Sequence, residues 1–331
     1  MRVSRRRALL RLAAGAAGIS MVGWPRSGEA APVEPPQAPS TVSARAVAAI
    51  DAASGALLFA RRAFDELPPA SLTKMVTALV ALERGAPNGR VRPSRDYDVV
   101  PTIIGISFGD ELRLEDAIYG LMLNSGNDAA LAIAESLADG SVPRFVGWMN
   151  ELVRRLGLGH THFANPHGLD HPDHYSSAYD MAVIGRTVMR HPLLSRVVGT
   201  ERWVVEGPPR WGFRNTNPIL GAIPGADGIK TGYEDRAGRC LAATAIRDGR
   251  RVVAVVLNSE GTAQDSAAVL DAAFARDDWG SRAPEPAWRA HLASGSVVAS
   301  LRADLDGASG APRSAFRAAR LAGSGGEGAG P

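Results

Sequence analysis

Apolar residues recur at helical spacing across positions 71–84, where Leu72, Met75, Val76 and Leu79 share one face and Pro68-Pro69 marks the approach. Gly85 closes that pattern as a C-cap glycine would. The same periodicity predicts helices over 111–123 and 128–137, separated by an Asn-Ser-Gly-Asn break, and over 145–156, 179–189 and 267–274. Runs rich in Val, Ile and Ala predict strands at 46–50 and 56–59, turning at Ser54-Gly55. Two more, at 240–246 and 252–257, are joined through Asp248-Gly249, a strong hairpin signal. Trp203 and Trp211 flank a further hairpin and read as packing residues. Residues 86–110 are turn-rich.

The two ends depart from this pattern. Residues 1–30 read as an export signal, with arginines from Arg2 to Arg7, an apolar run from Leu12 to Trp24, and small residues around Gly28-Glu29-Ala30. Ser4-Arg5-Arg6-Arg7-Ala8-Leu9 approximates a twin-arginine signal, and the general secretory route stays equally open. Residues 31–43, rich in proline, read as a linker, and 44–279 as one catalytic domain. Residues 280–331, dominated by Ala, Gly, Ser, Pro and Arg, read as a largely disordered tail. Within the tail only 313–321 has the pattern of a short basic helix able to touch a membrane. The expected location is therefore the periplasm or cell envelope.

Composition sharpens the chemistry. The net charge of +3 includes six arginines and one acid in residues 1–30; without them the chain carries −2, which argues against a nucleic-acid partner. A single cysteine, Cys240, excludes an internal disulfide framework, and its strand context suits a small buried hydrophobe. His160, His162, His167, His171 and His174 crowd one segment, but their spacing fits no standard metal-ligand pattern, so no metal or cofactor is expected. Of the 37 basic residues only two are lysines, Lys74 and Lys230. An ammonium can lose its proton near neutral pH and a guanidinium cannot, which marks both lysines as candidates for chemistry.

Lys74 lies three residues after Ser71 at a helix start, a spacing that places both side chains on one face. A serine hydroxyl needs a base to become a nucleophile, and a lysine serves once burial or a neighbouring cation depresses its pKa. Lys230-Thr231-Gly232 offers a cation, a hydroxyl and a glycine that admits a ligand to the backbone. Ser125-Gly126-Asn127 lies between them in the helix break, with a hydroxyl and an amide. Each motif alone is weak, but together they occur in the required order and use both lysines.

These three motifs resemble those of the penicillin-recognising serine enzymes. Their surroundings, with Asn165-Pro166-His167-Gly168-Leu169 and Asn215-Thr216-Asn217-Pro218, resemble the low-molecular-mass D-alanyl-D-alanine carboxypeptidases across 44–279. The resemblance implies an α+β fold: an antiparallel sheet flanked by helices, a helical subdomain, and the active site between them. It implies Ser71 as the acylated nucleophile, Lys74 as its base, and Ser125 as a proton shuttle to the leaving D-alanine. Asn127 would hold the substrate amide, Lys230 and Thr231 the terminal carboxylate, and the N–H groups of Ser71 and Tyr233, the latter following Gly232, the oxyanion. The implied partners are peptidoglycan stem peptides, with β-lactams as inhibitors.

Two departures accompany the resemblance. Thr262 stands where many relatives carry a carboxylate-binding arginine, which shifts that task to Lys230, Thr231 or another arginine. Glu234 stands where a small hydroxyl residue is usual. A class A β-lactamase would need a glutamate near 160–165 to activate the deacylating water, and none is there. Cleavage of crosslinks by a DD-endopeptidase, and a penicillin-binding sensor without turnover, are the remaining alternatives.

Overall fold

A computed structural model describes residues 36–97, 101–207 and 211–276. The readings placed on 1–30 and on 280–331 fall outside these residues.

Five strands form the framework: β1 (Ala46–Asp51), β2 (Leu57–Arg61), β7 (Ala226–Glu234), β8 (Gly238–Arg247) and β9 (Arg250–Ser259). They make one wholly antiparallel sheet in the order β2-β1-β9-β8-β7. Asp248 and Gly249, both at positive φ, make the tight β8–β9 turn read from the sequence. Alternate residues of the central strands face opposite layers. Val47, Ala49, Leu241, Ala243, Val252, Ala254 and Val256 pack with Val269, Leu270 and Ala273 of helix α7 (Thr262–Phe274). Ala46, Ala48, Ile50, Val253 and Val255 face the other way, into the larger core beneath α5 (Ala178–Arg190).

That larger core is shared with a helical region. A 3-10 turn, Ala70–Thr73, runs directly into α1 (Lys74–Arg84), followed by α2 (Leu114–Leu123), α3 (Asn127–Leu137) and α4 (Val142–Arg155). Ser141 and Ser177 cap α4 and α5 by accepting the N–H of Arg144 and Asp180. The stretch expected as a helix from 111 begins instead at Leu114, because Leu112 and Arg113 pair in β4 (Leu112–Arg113) with β3 (Arg90–Val91). Helix α6 (Pro192–Gly199) is not evident from periodicity over so short a run. The expected Trp hairpin is present as β5 (Arg202–Val205) and β6 (Trp211–Arg214), with Trp203 stacked at 3.8 Å on Tyr119 and bonded to Asp116.

Gly85 differs from the expected left-handed cap. Its φ is −139°, which any residue adopts, and the requirement is one of space: a Cβ there would lie 2.8 Å from Leu137 and 2.9 Å from Leu114. The stretch read as a linker also changes character from Pro36 onward. The N–H of Ala38 donates to Ala60, that of Ala60 donates to Pro36, and the Arg61 guanidinium donates to the carbonyls of Val42 and Pro39. Residues 36–43 are therefore bound to the sheet edge. Among the described residues no helix is long and apolar enough to cross a membrane.

Candidate active site

Ser71 lies in the 3-10 turn and Lys74 begins α1, so the chain itself delivers hydroxyl and amine to one point, with Lys74 Nζ 2.8 Å from Ser71 Oγ. Lys74 is fully buried. Its Nζ is also 2.8 Å from Asn127 Oδ1 and 2.6 Å from the carbonyl oxygen of His167. Both of these partners can only accept. In a neutral amine the two N–H bonds are spent on them, and the lone pair is left facing the serine proton. Burial first, and the charge of Lys230 second, hold the Lys74 pKa well below that of an ordinary lysine.

The turn that carries Ser71 is anchored from the histidine-rich loop. His174 Nδ1 accepts the N–H of Ala164, so Nε2 carries the proton and donates to Thr73 Oγ1 at 2.7 Å. Thr73 in turn donates to the carbonyl of Ala70, whose φ of +49° places it in the left-handed region just before Ser71. Thr77 reaches the same loop by donating to the carbonyl of Pro166. His162, His167 and His171 spend Nδ1 on backbone groups of the loop, at Asp173, Leu169 and Asp173 respectively. Among the described residues no three His, Cys, Asp or Glu side chains converge as metal ligands would.

Ser125 sits at φ +64° between α2 and α3, nearly buried, and its hydroxyl forms no hydrogen bond among the described residues. Asn127 follows at the start of α3; its Nδ2 is buried without a partner there. A buried donor with nothing to bind is costly, and a substrate carbonyl would satisfy it. Asp128 fixes the facing segment, its carboxylate accepting the N–H groups of Ile104, Gly105 and Ile106.

The third motif lies on the edge strand β7. Lys230 is buried, donates to the carbonyl of Thr231 at 3.0 Å, and is brought by burial to a pKa of about 7. Thr231 shares a 3.0 Å hydrogen bond with Thr216. Gly232 runs past Ser71 so closely that a Cβ there would lie 3.1 Å from the Ser71 nitrogen. Tyr233 is exposed at the mouth. Glu234, whose pKa burial raises, acts against the depression of Lys74. Thr262, by contrast, only opens α7. Cys240 is buried and its thiol pushed up to about 12, which leaves it inert.

Residues 32–261 match the family Peptidase_S11, D-alanyl-D-alanine carboxypeptidase. The chain belongs to this family. It is 34% identical over 246 residues to the D-alanyl-D-alanine carboxypeptidase DacF of Bacillus subtilis, which covers 70% of this chain and 62% of the relative. Against DacD of Salmonella typhimurium it is 34% identical over 242 residues, covering 68% and 60%. The chain thus spans about three-fifths of the length of these relatives. The solved DD-transpeptidase of Streptomyces K15 superposes with a TM-score of 0.68 at 30% identity, over 74% of this chain and all of that one. A D-alanyl-D-alanine carboxypeptidase from Mycobacterium tuberculosis gives 0.68 at 30%, over 75% and 95%. The family's antiparallel sheet with flanking helices is the fold expected from the three motifs.

The loop contribution is the part that sequence reasoning misses. Asn165-Pro166-His167-Gly168-Leu169 is recognisable as a segment, but its role rests on a main-chain carbonyl, which every residue possesses.

Proposed function

We propose that this protein is an exported serine-type D-Ala-D-Ala carboxypeptidase that trims the terminal D-alanine from peptidoglycan stem peptides. What carries the reading is a buried lysine amine 2.8 Å from Ser71 Oγ, with its other two positions taken by pure acceptors. Lys74 takes the Ser71 proton as Oγ attacks the carbonyl carbon of the penultimate D-alanine. The resulting oxyanion is met by the N–H groups of Ser71 and Tyr233. Collapse breaks the C–N bond, and the proton passes through Ser125 to the departing amine. Water then hydrolyses the ester, which restores Ser71 and releases the shortened stem.

Asn127 Nδ2 fits the substrate amide carbonyl, and Lys230 with Thr231 fits the terminal carboxylate. A β-lactam presents the same groups and would acylate Ser71. The N-terminal signal reading places the reaction outside the cytoplasmic membrane, where this substrate lies.

The test is D-alanine release from a pentapeptide ending in D-Ala-D-Ala, beside mass spectrometry after exposure to penicillin. The expected result is release and an adduct on Ser71, both lost in Ser71→Ala. Release that survives Ser71→Ala would overturn the assignment.

A further inference from the structure

Beside the Lys-Thr-Gly strand the structure holds a cavity of about 740 Å³ lined by Asn124, Arg202, Arg214, Thr216 and Asn217, with Glu201 as its acid. A volume in the range of about 300–1,000 Å³ accommodates a ligand of many heavy atoms, far beyond the methyl side chain of an alanine.

Its charged wall is unusual. Arg202 and Arg214 stand directly opposite each other across the β5–β6 ribbon, on the face opposite Phe213 and Val205, which are buried. Like charges in directly opposed positions oppose strand pairing. Neither guanidinium forms an ion pair among the described residues, Glu201 included. An anion between them would relieve the repulsion and use the fork geometry of both groups. A second observation points the same way: Asn217 is 6% exposed, and its Nδ2 has no partner among the described residues.

The cavity is joined to both flanks of the active site. Asn124 directly precedes Ser125, and its Oδ1 accepts the N–H of Arg214 at 3.3 Å. Thr216 is bonded to Thr231 at 3.0 Å. In the carboxypeptidase reading, on which this inference rests, Thr231 receives the carboxylate of the departing residue. The space beyond Thr216 then lies on the leaving-group side.

We propose that this cavity is a leaving-group subsite for a carboxylate-bearing group larger than alanine, held by Arg202 and Arg214. Two sources share that chemistry: a single D-residue with an acidic side chain, and the second stem of a crosslinked peptide.

The experiment compares release of D-Glu and D-Gln from acyl-D-Ala-D-Glu and acyl-D-Ala-D-Gln, peptides of equal shape that differ in one charge. The wild type is expected to favour D-Glu in kcat/KM by about fivefold, as a partly exposed charge pair allows. The ratio collapses to about one in Arg202→Gln/Arg214→Gln and returns in Arg202→Lys/Arg214→Lys. Because each ratio is read within one preparation, partial loss of folded protein cancels. Cleavage of a crosslinked stem dimer that falls in the glutamine variant assigns the pocket to the second stem; cleavage of the D-Glu peptide alone assigns it to single residues. No preference in the wild type, or a preference unchanged in the glutamine variant, overturns the subsite. If D-Ala is released and penicillin binds, only the subsite has failed. If neither occurs, the carboxypeptidase reading falls with it.

Discussion

Gly168 stands where a Cβ would collide with the carbonyl oxygen of Ala70, one residue before Ser71. Its φ of +95° is also in the region that side chains avoid. The loop that supplies the His167 carbonyl to Lys74 therefore packs directly on the turn that presents Ser71. Gly168→Ala is expected to separate these two elements and lower the rate of penicillin acylation by at least tenfold. Stopped-flow acylation kinetics, with circular dichroism to confirm that the chain is folded, measures this.

Lys230 titrates at about 7 in the free protein because burial disfavours its charge. Docking of a terminal carboxylate on Lys230, as proposed, would need the ammonium, so kcat/KM is expected to fall as pH rises through about 7. A peptide amide that lacks the terminal carboxylate should show no such falling limb. The two pH profiles, measured side by side, check the assignment.

Among the acids, Glu234 raises the Lys74 pKa most, against burial and Lys230, which lower it. Glu234→Gln removes that opposition, so the amine loses its proton at lower pH. The rising acid limb of penicillin acylation is expected to move to lower pH. A limb that stays in place would separate Glu234 from Lys74.

His167 and His174 both titrate at about 3, mainly because they are buried, against 6.5 for a free imidazole. Between these values the unfolded chain binds more protons than the folded one. Their contribution to stability is complete above about 6.5 and is lost as pH falls towards 3, by up to about 1.4 kcal/mol per pH unit for each histidine. His174→Gln is expected to flatten that slope in urea unfolding measured from pH 7 to 4. Since glutamine can still donate to Thr73, the variant should keep more acylation activity than His174→Phe.

The pairing of Ser71 with Lys74 is legible in the sequence because it is local. Three residues of helical chain fix the separation, whatever surrounds them. The rest of the Lys74 environment is less so. Asn127 stands 53 positions away and the His167 carbonyl 93, and only packing of α1 against α3 and the histidine-rich loop makes them neighbours. The histidine cluster shows the same limit: its composition suggests ligands, while its geometry uses the rings to staple backbone and hold Thr73. Gly85 reads from sequence as a conformational glycine and is a packing one, since the side chains of Leu114 and Leu137 arrive from elsewhere.

What the sequence determined by itself is the set of reactive groups, the local Ser-Lys spacing and the long helices and strands, because propensity and periodicity act over a few residues. Tertiary structure decided the lowered pKa of both lysines, the acceptors around Lys74, and the cavity beside Thr231. Burial, field and volume are sums over atoms that approach from distant parts of the chain, and no stretch of sequence contains them.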